Sequence, residues 1–180
     1  MTVLKGDVER SALEEEIAGS GLGWTFLGPV EFMSNTLEWA PGIRSSGVVR
    51  AGFPDAPSAM IHDGDIAAVA AAVLTSPGSA HVGREYWLTG PEVLTPVSQV
   101  RILGEVLGRS LSFVALSQDE VVAQWRDEGY GAEDIAFFLA MRTSPPEAGY
   151  TVLPTVREVT GRPARSYREW VAENRAAFGG

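Results

Sequence analysis

The chain has 180 residues, 45% hydrophobic and 21% charged, with five Trp, seven Phe and four Tyr, enough bulky apolar material for one core-bearing domain rather than a disordered chain. A formal net charge of −9 and a single lysine, Lys5, argue against nucleic acid or an anionic membrane surface as partner, since both need clustered cations. The absence of cysteine removes disulfides, thiol catalysis and Cys-ligated metal sites.

The acidic N-terminal stretch MTVLKGDVERSALEEE has no apolar run of the kind a signal peptide needs. The longest apolar run, Ile66 to Leu74, is too short to span a bilayer, so a cytoplasmic location is expected. Asp7 is placed to cap a helix reaching about Ala18, which Gly19 and Gly21 would stop. Trp24 to Leu27 reads as a short buried strand ended by Gly28-Pro29, and Val30 to about Trp39 as a helix that Pro41-Gly42 would close. Val48-Val49-Arg50 and Ala59-Met60-Ile61 suggest two short strands on either side of a proline-rich loop. Asp65 should cap a helix over 66–75, apolar nearly all round and therefore expected to be buried. Tyr86 to Thr89 is the next strand; Thr95-Pro96 opens a helix to Leu107, with Gly108 as its stop. Leu111 to Leu116 alternates like a strand. Capping boxes at Ser117/Glu120, Thr155/Glu158 and Ser166/Glu169 predict helices at about 118–128, 156–160 and 167–178, with another at about 132–142. Strands alternate with helices up to residue 116, and helices dominate afterwards, which indicates α/β with a helical cap.

Four stretches carry more than secondary structure. They are Gly21 to Pro29 with Phe32-Met33-Ser34-Asn35, Ile61 to Ala70, Gly83 to Glu92 with Leu94-Thr95, and Val159 to Arg165. In this order and spacing they resemble the C-terminal, substrate-side half of the NmrA-like atypical short-chain dehydrogenases/reductases. The resemblance implies a truncated Rossmann-like parallel sheet with a helical C-terminal cap, one domain whose α/β part is 1–116 and whose cap is 117–180. The half not matched would hold the strand–glycine turn–helix that wraps a pyrophosphate. Gly19-Ser-Gly-Leu-Gly23 is glycine-rich but lies between a helix and a strand, the reverse order, and reads as a helix stop. The family's Tyr-x-x-x-Lys pair is absent, and the arginine that usually precedes the proline is Gly28 here. The expectation is no cofactor bound by this chain alone, with NAD(P)H entering only where a partner chain supplies the nucleotide loop. An apolar strand edge left by such a truncation should be covered by a homodimer or by another polypeptide.

By position in the resembling enzymes, Pro29, Phe32, Met33 and Asn35 fall near the substrate, although Phe32 and Met33 also fit a core at helical spacing. Trp39 and Trp87 would shape the same cavity. His62, with Asp63 beside it, is a candidate for proton transfer or a structural histidine at a strand-to-helix junction. Glu31 near aromatic rings is a candidate acid or base, or a solvated helix face. His81 reads as a surface-loop residue, and no metal-ligand spacing or Gly-x-Ser-x-Gly elbow occurs. The leading expectation is a cofactor-independent isomerase, cyclase or lyase acting on a small hydrophobic molecule, with His62 or Glu31 as acid/base. The alternatives are the substrate half of a split NAD(P)H-dependent reductase and a non-catalytic binding or regulatory module.

Overall fold

The computed structural model describes residues 10–180; the expected Asp7 cap lies outside them. The first helix, α1 (Ala12–Gly19), is started instead by Ser11, whose hydroxyl accepts from Glu14 N–H while the Glu14 carboxylate accepts from the Ser11 amide. Gly21, with φ +78°, turns the chain into β1 (Thr25–Pro29).

β1 pairs in parallel with β3 (Arg84–Leu88), and β2 (Val48–Ala51) pairs in parallel with β4 (Ser112–Ala115). The expected strand at 59–61 is not a full strand. Ser58 bridges antiparallel to Leu94 and Ile61 bridges parallel to Phe32, so this stretch pairs with the segments that follow β3 and β1. The α/β character with parallel strands therefore stands as expected.

The segment after β1 departs from the expected helix. It forms a 3-10 turn over Met33–Trp39 and then an α-helix, α2 (Ala40–Ser46). Pro41 lies in the first turn of α2 instead of ending a helix, a site where its missing N–H costs nothing. Gly47 closes α2 in the left-handed conformation. α3 (Asp63–Thr75) also begins earlier than expected. Its cap is the His62 ring, and Asp65 sits inside the first turn. Nor is α3 buried all round: Val69 and Asp65 are enclosed, whereas Leu74 is 84% exposed.

α4 (Pro96–Leu107) begins and ends as the sequence indicates, with a Thr95–Ser98 capping box and a left-handed Gly108. α5 (Gln118–Asp127) and α8 (Tyr167–Glu173) start at the predicted boxes, and α6 (Ala132–Thr143) lies between. The box expected at Thr155/Glu158 does not form, because Thr155 is already helical and Pro154 precedes α7 (Thr155–Thr160).

The main core gathers Met33, Ile43, Val49, Met60 and Leu103 with Tyr167, Trp170 and Phe178 from the C-terminal segment. A second cluster joins Ile61, Val69 and Leu88 to Val156 of α7. α7 and α8 thus return onto α3 and α4, while α5 and α6 lie over the end of β2 and the 3-10 turn. Gly90 is required just after β3, where the chain packs on the 58–61 stretch: a methyl group there would strike the Met60 carbonyl oxygen.

Candidate functional site

A cavity of about 480 Å³ opens between the α/β layer and helices α5 and α6. One wall is the segment from Glu31 through the 3-10 turn, bringing Glu31, Asn35, Thr36, Glu38 and Trp39 to the surface of the cavity. The floor is the end of β2 and the loop after it, Arg50 to Phe53, and the opposite wall is α5 with Trp125, Asp127 and Glu128.

Arg142 of α6 closes one side. Its guanidinium grips the Glu31 carboxylate with both arms, Nη2 to Oε1 at 2.6 Å and Nη1 to Oε2 at 3.1 Å. Such a fork fixes angle as well as distance, so the helical segment is held to the turn after β1. Burial opposes the charge on Arg142, but its bonds and attraction to Glu31 outweigh this and keep it more firmly protonated than a free arginine. Glu38 keeps some solvent contact, yet the protein around it desolvates its carboxyl and raises its pKa. Glu31 and Glu128 add to that rise, and Arg142 and Trp39 work against it.

Aromatic side chains line the far side. Phe53 and Trp125 lie nearly parallel, 16° between planes with centroids 6.4 Å apart, and Trp125 rests edge-on against Phe138 at 5.4 Å. Phe53 has φ +52°, the one non-glycine residue with positive φ among those described. Gly52 beside it packs closely on α5, where an added Cβ would come within 2.5 Å of Val121 Cγ2.

Of the residues picked out in the sequence, Glu31, Asn35 and Trp39 meet at this cavity. Pro29 pairs with Leu88 at the end of the β1–β3 ladder, Phe32 bridges to Ile61, and Met33 is buried in the main core. Trp87 lies on a separate small crevice with Phe26 and Tyr86, and its ring covers Gly28, whose added Cβ would sit 3.2 Å from it. His62 and Asp63 are engaged at the start of α3. His62 Nδ1 accepts from Gly64 N–H at 2.9 Å, which leaves the proton on Nε2, facing Glu173 at 3.3 Å. Asp63 accepts from Ser34 Oγ at 2.6 Å and from Trp170 Nε1 at 3.1 Å. His81 binds Tyr86 through Nδ1 and Ser76 through Nε2. Sequence reasoning missed Arg50, Phe53, Trp125 and Arg142; no motif marks them, because their meeting place depends on how α5 and α6 fold back.

The fold is shared with several solved α/β proteins. The quinone oxidoreductase QOR2 from Escherichia coli superposes with a TM-score of 0.73 at 24% identity, over 90% of this chain and 58% of that one. Citrobacter sp. triphenylmethane reductase gives 0.69 at 20% identity, over 89% of this chain and 56% of that one. NmrA, a negative transcriptional regulator, gives 0.61 at 17%, over 89% and 55%.

Among curated proteins, (4-alkanoyl-5-oxo-2,5-dihydrofuran-3-yl)methyl phosphate reductase of Streptomyces griseus is 46% identical over 165 residues, 92% of this chain and 58% of its own length. NAD(P)H azoreductase of Xenophilus azovorans is 35% identical over 169 residues, again 92% and 58%. Agroclavine dehydrogenase of Claviceps fusiformis is 30% identical over 160 residues, 86% and 55%. No family model matches the sequence. The chain therefore spans less than three-fifths of the length of these relatives.

These names overturn the expectation of a cofactor-independent isomerase, cyclase or lyase, because the relatives are reductases and dehydrogenases. That expectation leaned on glycine at position 28 as a lost redox feature. Packing beneath Trp87 accounts for the glycine without any change of chemistry.

The described residues themselves do not fit a dinucleotide. Anion binding at a helix N-terminus needs free amides, and the long helices that follow strands use theirs internally. His62 caps α3, with Asp63 and Asp65 in its first turn. Thr95 caps α4, and Ser117 caps α5 with Asp119 and Glu120 beside it. Pyrophosphate would meet capped amides and carboxylates at α3 and α5.

Proposed function

We propose that this chain is the substrate-side part of an NAD(P)H-dependent reductase whose nucleotide-binding part lies outside these 180 residues. The observation that carries this reading is the likeness, over 92% of the chain, to proteins named as reductases, one of them an NAD(P)H enzyme. The geometry supports it. A cavity of about 480 Å³ suits a small organic molecule, with aromatic groups for apolar contact and a few polar groups for orientation. Glu31, Asn35 and Trp39 form its wall directly after β1, and the Glu31–Arg142 fork holds the helical segment over it, limiting water. When bound by the rest of such an enzyme, the nicotinamide supplies hydride; this chain's residues position the acceptor. The nucleotide-binding part is also the polypeptide that would cover the edges of β1 and β3 that have no strand partner among the described residues, a second copy of the chain being the other candidate.

The test joins this chain to the portion of the Streptomyces griseus relative that it does not match. The chimera should bind NADPH and oxidise it against an unsaturated organic acceptor, whereas the 180-residue chain should show no NADPH affinity by calorimetry. A chimera that binds NADPH but reduces none of the acceptor classes named for the relatives would overturn the reading. So would NADPH oxidation by the chain alone, as regards the missing nucleotide part.

A further inference from the structure

We propose that Phe53 and Trp125 form an aromatic clamp that selects a flat, unsaturated substrate carrying no negative charge. This rests on the reductase reading and narrows its substrate class. The relatives' names, a furanyl methyl phosphate, azo compounds and agroclavine, do not agree on one.

Three observations converge. The first is shape. Phe53 and Trp125 both line the cavity with their planes 16° apart and centroids 6.4 Å apart, and Phe138 packs edge-on to Trp125. Flat faces held parallel favour stacking with a third flat group.

The second is the backbone of Phe53. A left-handed conformation in a bulky residue is unfavourable and persists only where the surroundings impose it, and such strain concentrates at ligand contacts. The preceding residue, Gly52, packs closely on Val121 of α5, the helix that also carries Trp125. A glycine at position 53 would relieve the strain, and the chain keeps the ring instead.

The third is charge. Carboxylates around the cavity, Glu31, Glu38, Asp127 and Glu128, outnumber guanidiniums, Arg50 and Arg142, by four to two. Arg142 is already committed to Glu31 with both arms, which leaves Arg50 facing three acids. In a partly enclosed site such a field repels phosphates and carboxylates and tolerates neutral or cationic molecules.

Four probes of one size test this on the 180-residue chain by calorimetry: 1-naphthylmethylammonium, 1-naphthalenemethanol, 1-naphthyl phosphate and decahydronaphthalenemethanol. The ammonium and the alcohol should bind, with the phosphate about tenfold or more weaker, as like-charge repulsion in a low-dielectric site predicts. The saturated alcohol should bind roughly three- to tenfold more weakly than its aromatic counterpart, the worth of a stacked pair. Phe53→Leu and Trp125→Leu should each erase most of that flat-over-saturated preference and leave the saturated probe within about twofold. Should Trp125→Leu unfold, Phe53→Leu, on a loop, carries the test alone. Tighter binding of the phosphate, equal binding of flat and saturated probes, or no binding at millimolar concentration would each overturn the clamp. A chimera that oxidises NADPH while naphthyl phosphate binds best sinks the clamp alone; the expected probe order with an inert chimera sinks the reductase reading alone.

Discussion

Removing one arm of the Glu31–Arg142 fork gives the sharpest test of how α6 is held. The two side chains are 20% and 36% exposed, so the pair is neither a free surface contact nor a sealed one. Exposed pairs couple by about 0.2–1 kcal/mol, and breaking a fully buried pair costs roughly 3–5 kcal/mol. The geometry is bidentate, but the exposed guanidinium is screened, which places the coupling at about 1–2 kcal/mol. A cycle of Glu31→Gln, Arg142→Met and the double variant, followed by urea unfolding, isolates that number from the side effects of each substitution. For a chain of this size Glu31→Gln alone should lower Tm by roughly 4–8 °C if it costs about 2 kcal/mol. Raising the salt to 1 M should weaken the coupling only partly, because screening reaches exposed charges first. A coupling below about 0.5 kcal/mol, or one abolished by salt, would mean that the fork is a surface contact and does not seat the helix.

Glu38→Gln should stabilise the protein at neutral pH. A carboxyl whose pKa is raised by folding binds more protons in the native state, so it destabilises increasingly as pH rises through the shifted value and not at all well below the ordinary value of 4.5. The advantage of the variant should therefore shrink as the pH is lowered and vanish well below 4.5 in parallel melts, and a gain independent of pH would refute the assignment. Asp63→Ala removes the oxygen that accepts from Trp170 and leaves a buried indole N–H without that partner; the expected loss is about 1–3 kcal/mol by chemical denaturation, with a shift in tryptophan emission. Gly90→Ala forces a methyl group onto the Met60 carbonyl and should cost about 3 kcal/mol or more or abolish soluble expression, whereas Gly149→Ala, with open space around it, should melt like the parent.

Local chemistry was legible in the sequence, and long-range meeting places were not. Ser117/Glu120, Ser166/Glu169 and Thr95-Pro96 name their helix starts because a cap and its amides lie within four residues. The parallel α/β class was legible for a similar reason, from strand-sized runs alternating with helices. Two readings failed where a neighbour in space decided. Asp65 looks like a helix cap, but its carboxylate is taken by the backbone of Arg165 at 2.7 Å, and His62 caps instead. Val30 to Trp39 has helical spacing, but Phe32 is drawn into a bridge with Ile61, so only a 3-10 turn remains before α2. For the site, one wall was visible as Glu31, Asn35 and Trp39. The other wall, Trp125, and the closing Arg142 lie about a hundred residues away in helices whose local pattern says nothing of where they dock.

The parallel ladders bear on how the chain reaches this arrangement. Thr25 meets Arg84 and Val48 meets Ser112, so each pairing closes a loop of roughly sixty residues, and among the described residues no hairpin offers a quick first contact. Self-capped helices can form early and independently, while the strands must wait for a slow search with their hydrogen-bonding edges bare. Dilute, cool refolding should return more soluble, folded chain than rapid concentrated refolding, since two waiting chains offer each other the same edges that the native ladder needs.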